Sequence, residues 1–219
     1  MRDPPCLPGT DLGPAPLLAR ALPLFGTRGQ TYVEHRGVPV GVADNAGVRF
    51  DPDFAGRPAV LAPLRDQEMR LTSVHGRYLS TVRGQNKMLT VGPGNGVISV
   101  LDGERAEPII LVEGLFDALS LATCGWPALA LLGRNVTWLP DLCIGRDVWL
   151  AFDASQGAEA EATRYQAYLS GARLRRVPPP QRCKDWNTAL RKRGVAAVQY
   201  WLRHQSTFQS RYESERGSF

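Results

Sequence analysis

No stretch of this 219-residue chain approaches the roughly 18–20 consecutive apolar residues that a helix needs to cross a bilayer. The first residues, MRDPPCLPGTDLGP, put acids and prolines where a secretory signal has a basic end and an apolar run. A cytoplasmic protein with no membrane attachment is therefore expected. Cysteine is scarce: Cys6, Cys124, Cys143 and Cys183 stand far apart, too thinly for a disulfide framework and without the C-x2-C pair of structural zinc. No zinc site is expected. Histidine is scarcer still, and His35, His75 and His204 show no metal-ligand spacing. The glycine-rich stretch Gly92–Gly96 lacks the Lys-Ser/Thr of a phosphate-binding loop and reads as a turn. Hydrophobic residues at 43% and charged residues at 21% are ordinary globular usage, which excludes wholesale disorder and leaves one domain or two small ones.

What the chain does have is unevenly placed basic charge. Net charge is only +5, yet the segment from Arg173 to Arg193 holds eight basic residues against Asp185 alone. A second basic stretch runs from Arg57 to Lys87, with Asp66 and Glu68 as its acids. Each run is either a solvated face or a surface for phosphates.

The first 30 residues carry six prolines and read as a loosely ordered lead, with one short helix at Leu17–Leu22. From Thr31 to Val100 the texture is strand-like, with short strands expected at Val48–Phe50, Ala59–Ala62, Arg70–Tyr78 and Gly96–Leu101. From Glu107 it changes. Four strands, starting at Ile109, Ala128, Asp147 and Arg173, alternate with helices at Phe116–Thr123 and Ala158–Leu169. Continuous apolar strands alternating with helices predict a parallel sheet covered on both faces, an α/β fold. The polar tail from Gln205 is expected to fray. These shifts in texture divide the chain into a lead (1–30), a smaller mixed α+β, strand-rich subdomain (31–106), an α/β domain (107–204) and a flexible tail (205–219).

In open parallel sheets functional groups collect at the carboxyl ends of the strands. By that rule Glu113, Asp117 and Asp153 converge on one rim, with the basic loop Lys184-Asp185-Trp186-Asn187 beside them. Grouped carboxylates keep their charges cheaply only with a cation present. Oxygen-only ligands favour Mg2+ or Mn2+, which retain waters and bridge to substrate phosphates. The alternative is that Asp117 and Asp153 are capping or salt-bridged acids. His75 is placed next to this groove. Trp186 either stacks a base or anchors the loop by packing, while Trp126, Trp138 and Trp149 belong to the core.

Leu111–Ser120 (LVEGLFDALS) resembles the first acidic motif of the toprim domain, the module shared by bacterial-type primases and topoisomerases. Leu150–Ala158 (LAFDASQGA) sits where that family has its Asp-x-Asp motif, and Lys184–Asn187 (KDWN) resembles the Lys-Asp-x-Asn element of phage and plasmid primases. Upstream, Gly47–Pro52, Pro58–Asp66, Leu71–Leu79 and Asn86–Leu89 resemble the subdomain that precedes toprim in primase catalytic cores. The resemblance spans roughly Thr31 to Gly194. It implies a primase-like nucleotidyltransferase core acting on a single-stranded DNA template and nucleotides. Glu113, Asp117 and Asp153 would be the metal-holding acids and, with Lys184, the catalytic set. Arg65, Arg77 and Lys87 would line the groove, and Lys184, Asp185, Asn187, Arg191, Lys192 and Arg193 would contact nucleic acid or nucleotide.

Two departures bear on that reading. Ser155 stands where the family's second motif has its second aspartate, and a hydroxyl is a weak Mg2+ ligand. This leaves open a catalytically degenerate nucleic-acid-binding module of a phage or mobile element. A toprim nuclease using the same acids is a third reading, disfavoured by the upstream subdomain. The zinc-binding module that bacterial primases usually carry, and the helicase or helicase-binding part that they often carry, are also missing from the sequence, so the chain is expected either to be a stand-alone core or to need partners, a helicase or zinc-module protein supplied separately.

Overall fold

The computed structural model describes residues 12–81, 83–132 and 136–216, with side chains to residue 205. Cys6 and the first prolines lie outside the described residues. Three short helices come first: α1 (Pro14–Arg20), α2 (Arg28–His35) and α3 (Val40–Asn45). Proline in the first turn suits α1, where the missing N–H has no intrahelical partner to lose. Thr27 caps α2 by accepting a hydrogen bond from the Gly29 N–H. The strand-like reading of residues 31–47 is thus overturned. Gly29 and Val33 of α2 and Ala43 of α3 are the buried positions on helices of one to two turns, too short to show a 3.6-residue period.

Four strands follow as an antiparallel meander, β1 (Arg49–Phe54), β2 (Arg57–Arg65), β3 (Leu71–Tyr78) and β4 (Met88–Val91), lying in that order in the sheet. The last of these was not expected, because its four residues are all partly exposed and carry no alternation. Leu22, expected inside the first helix, instead pairs with Phe50 of β1 in an isolated bridge.

The second sheet has the order β5-β7-β6-β8-β9, from β5 (Ile98–Val100), β6 (Ile109–Val112), β7 (Ala128–Ala130), β8 (Asp147–Leu150) and β9 (Arg173–Arg176). Strands β6 to β9 are mutually parallel, and β5 closes one edge antiparallel to β7. Helices α4 (Leu115–Thr123), α5 (Leu139–Cys143), α6 (Gln156–Tyr168) and α7 (Trp186–Arg216) connect and cover it. Gly194, at φ 77°, kinks α7, and helical backbone continues through Arg216 in the segment expected to fray. Every residue of β6 is buried, as a strand covered on both faces must be.

One apolar core joins the two sheets. Val60, Ala62 and Leu64 of β2 pack in the same cluster as Ile98, Val112, Leu115 and Trp186, together with Val33 and Ala43 of the leading helices. A second core lies between the opposite face of the parallel sheet and α5 and α6. Among the described residues no helix is long and apolar enough to cross a membrane.

Candidate functional site

The carboxyl end of β6 delivers Glu113 and Gly114, and α4 starts immediately after, so Asp117 sits in that helix's first turn. The carboxyl end of β8 leads through Ala151 and Phe152 to Asp153. Because β6 and β8 are adjacent and parallel, the two acids emerge side by side. The Asp153 N–H donates to Glu113 Oε1 at 3.1 Å. The loop between β9 and α7 brings Lys184 and Asp185 to the same rim, where the Ala154 N–H donates to the Lys184 carbonyl at 2.7 Å.

These groups line one cleft of about 440 Å³. Its acids are Glu113, Asp117, Asp153 and Asp185, and its cations are Arg36, Lys184, and, from the antiparallel sheet, Arg77 and Lys87. His75, expected beside the groove, lines it, with Nδ1 3.0 Å from Thr90 Oγ1. Asn187 lines it too, but is buried and fully engaged. Its Nδ2 donates to the Arg36 carbonyl (2.8 Å) and to Ser120 Oγ (3.0 Å), and its backbone N–H donates to Asp117 Oδ1 (3.2 Å). Asn187 therefore positions α2, α4 and Asp117 relative to one another. Trp186 is fully buried and donates from Nε1 to the Ala151 carbonyl at 2.7 Å. It is the packing anchor of the loop, so base stacking by it is set aside.

Several expected members lie elsewhere. Arg65 donates to the Met69 carbonyl and lines a different cavity, with Val42, Gly47 and Ser99. Arg191 and Lys192 line a separate recess, and Arg193 donates to the Gln181 carbonyl. The basic run from Arg173 is partly consumed inside the fold. Arg173 pairs with Asp147, Arg175 donates to the Gln205 carbonyl, and Arg176 holds the carbonyls of Leu150, Phe152 and Asp153 while pairing with Glu159. Arg176 thereby fixes the turn that carries Asp153.

Sequence reasoning missed Arg36. Its guanidinium lies 4.8 Å from the centre of the Phe116 ring and donates to Tyr32 Oη, from a segment read as strand-like. Ser155 caps α6 by accepting from the Ala158 N–H at 3.1 Å and does not line the cleft.

Electrostatics mark the cleft as a place for positive charge. Burial first, then the carboxylates of Asp153 and Asp185, push Asp117 up to about 8. Burial, then Glu113 and Asp185, push Asp153 up to about 6, against the pull of Lys184 and Arg176. Among the described residues no three His, Cys, Asp or Glu side chains already stand as a closed metal-ligand set. Four carboxylates around one cleft, two of them pushed up by burial and by their acidic neighbours, nonetheless fit a hard, oxygen-seeking ion that keeps part of its water.

A sign follows for stability. A carboxyl at about 8 in the folded chain and 3.8 unfolded takes up a proton on folding at any pH between, so its contribution weakens as pH rises through that window. In EDTA, Asp117→Asn, which keeps the oxygen acceptor for the Asn187 N–H, should be more stable than the parent at pH 8, with the gap closing toward pH 4. The linkage is worth about 1.4 kcal/mol per pH unit, so the gain at pH 8 should reach several degrees in Tm. Thermal melts at pH 4.5, 6 and 8 check it; a Tm difference independent of pH would mean that Asp117 carries charge throughout.

No family model matches the sequence, and no curated protein matches it. Solved structures do. A DnaG primase catalytic domain bound to ssDNA superposes with TM-score 0.64 at 21% identity over 87% of this chain and 76% of that one. The RNA polymerase domain of Mycobacterium tuberculosis primase DnaG gives 0.65 at 17% identity, over 85% and 80%. The Aquifex aeolicus primase, with its zinc-binding and RNA polymerase domains, gives 0.64 at 18% identity; the match takes in 83% of this chain but 57% of that longer one.

The fold is that of a primase catalytic core.

Within it, the antiparallel sheet and the parallel sheet face one another across the acid cleft, and each contributes a wall.

Proposed function

We propose that the chain is a primase-like nucleotidyltransferase core, with residues 107–204 as a toprim domain and residues 31–106 as the subdomain that holds template and nucleotide; 1–30 are its lead and 205–219 its tail. The observation that carries this is the cleft itself: Glu113 and Asp153 from strand ends of the parallel sheet, with Asp117 of α4 and Asp185 of the loop before α7, share its lining with Arg77 and Lys87 from the antiparallel sheet. Glu113, Asp117 and Asp153 would hold Mg2+ or Mn2+, which would neutralise the nucleotide phosphates and stabilise charge developing in phosphoryl transfer.

The chain's own groups then divide the work. Glu113, one oxygen occupied by the Asp153 N–H, has the other to accept a proton from an attacking hydroxyl. Lys184 sets a point charge beside Asp153, and Arg77 and Lys87 supply donors to triphosphate or template. Arg36 lines the cleft and would meet a phosphate oxygen there. Primer synthesis on single-stranded DNA with Mg2+ or Mn2+, run beside a nicking assay, tests the reading. Primers support it, nicks transfer the same acids to a nuclease, and neither product leaves a binding module. A helicase or zinc-binding module is the kind of partner to test alongside.

The silent-module reading rests on Ser155, whose hydroxyl serves the α6 cap. Aspartate caps a helix about as well as serine, so Ser155→Asp should leave Tm nearly unchanged. If the missing second acid limits metal binding, the same substitution should tighten Mg2+ binding and raise any synthesis. Calorimetric titration of both proteins decides it; equal affinities would restrict position 155 to capping.

A further inference from the structure

Next to the acid cleft lies a shallower recess of about 510 Å³, lined by Arg182, Lys184, Thr188, Arg191 and Lys192. Its lining holds four cations, a hydroxyl and no acid. Among the described residues Arg182, Arg191 and Lys192 make no hydrogen bond, ion pair or ring contact. This sets them apart from Arg173, Arg175, Arg176 and Arg193 of the same basic run, whose guanidinium groups are all spent on carbonyls or carboxylates of the fold.

Thr188, Arg191 and Lys192 fall three and four residues apart on α7, hence on one face of the helix. Arg182 and Lys184 add to that face from the preceding loop. The nearest acid in sequence, Asp185, is turned to the helix end, where Oδ1 accepts from the Thr188 N–H at 2.6 Å. Three exposed cations held together with no counter-charge repel one another, and an arrangement of this kind is relieved by an anion. Lys184 lines both cavities, and its carbonyl is tied to the Ala154 N–H, so the recess is fixed in place beside Asp153.

We propose that this recess carries the backbone phosphates of a single nucleic-acid strand passing to or from the acid cleft. The inference rests on the primase-like reading for the strand's purpose, but not for its chemistry. Arg182 and Arg191 present planar forks that suit phosphate oxygens, and Lys192 adds a point charge. The recess has no aromatic lining on which a base could stack, so the contact is indifferent to sequence. The triphosphate of a free nucleotide offers the same chemistry and is the rival source.

The experiment uses the full chain in EDTA, a fluorescein-labelled oligothymidylate, and anisotropy at several salt concentrations. Replacing Arg182, Arg191 and Lys192 together with Ala should weaken binding at least tenfold at low salt. It should also flatten the log–log salt dependence by about 2, since each single-strand phosphate contact contributes roughly 0.7. Arg193→Ala, outside the recess, should leave the slope alone. The variant with Lys at 182 and 191 keeps the charge and should retain the slope, which separates lost contacts from lost folding. An unchanged slope in the triple Ala variant overturns the proposal. So does a retained slope with loss of fluorescent-ATP binding, which would assign the recess to a triphosphate. A parent that makes no primers, but whose slope responds as described, keeps the recess and removes the enzyme reading instead.

Discussion

Glu113→Gln should abolish primer synthesis while leaving single-stranded DNA binding at or slightly above the parental level. The substitution is nearly isosteric, and the amide oxygen can still accept the Asp153 N–H that now sits 3.1 Å from Oε1. What disappears is one negative charge and the capacity to take a proton. General-base catalysis alone contributes about 10² to 10⁴ in rate, and on the proposed reading the loss of an acid that would hold the metal adds to it, so a fall of 10³ or more in kcat is expected. Affinity should not fall, because removing an anion from a cleft proposed to receive phosphates reduces repulsion. Rates on a defined template, measured beside anisotropy with the same oligonucleotide, check both halves. Synthesis within tenfold of the parent would remove Glu113 from the chemistry. A parallel loss of binding would make it a structural residue.

Trp186→Ala should cost about 3–5 kcal/mol of stability, the usual range for emptying a fully buried tryptophan site. The indole fills the junction of both sheets in the main core, and its N–H satisfies the Ala151 carbonyl two residues before Asp153. Urea denaturation should show the midpoint moving far down. Trp186→Phe separates the two contributions: it keeps much of the packing and orphans the carbonyl, for an expected cost of about 1–3 kcal/mol. At temperatures where Trp186→Phe is folded, Mg2+ affinity should still drop, because the β8 end and the α7 start both lose their tether. A Phe variant with parental metal affinity would show that Arg176, Glu113 and the Ala154–Lys184 backbone bond hold Asp153 without the indole N–H.

The acids were readable because a parallel sheet concentrates function at its strand ends, and because β6 and β8 announce themselves as unbroken apolar runs before Glu113 and Asp153. The antiparallel strands were partly readable; β2 has six consecutive buried positions and shows no period 2, while β4 is four residues at least partly exposed. Arg36 was invisible for a different reason. It caps the carboxyl end of a helix of only eight residues, and the partner that fixes it, Asn187, lies 151 positions away in the sequence. Charge counting also misjudged the run from Arg173 to Arg193. Composition reports how many guanidinium groups there are, and only coordinates report which are already bonded to carbonyls. Arg65 failed likewise: its strand belongs to the groove subdomain, but its side chain turns to Met69 and a different cavity.

The hydrogen bonds of Asn187 tie a residue near the end of the fold to Arg36, 151 positions earlier. Contacts of such separation close late, since nearly the whole chain must be collapsed before they repay the entropy of the loop they span. A growing chain therefore carries Glu113, Asp117 and Asp153 before it has the α7 amide whose N–H Asp117 accepts. A polypeptide cut short before residue 187 keeps those carboxylates but lacks the side chain that ties Arg36 to Ser120, so it cannot assemble the cleft that Asn187 helps to line.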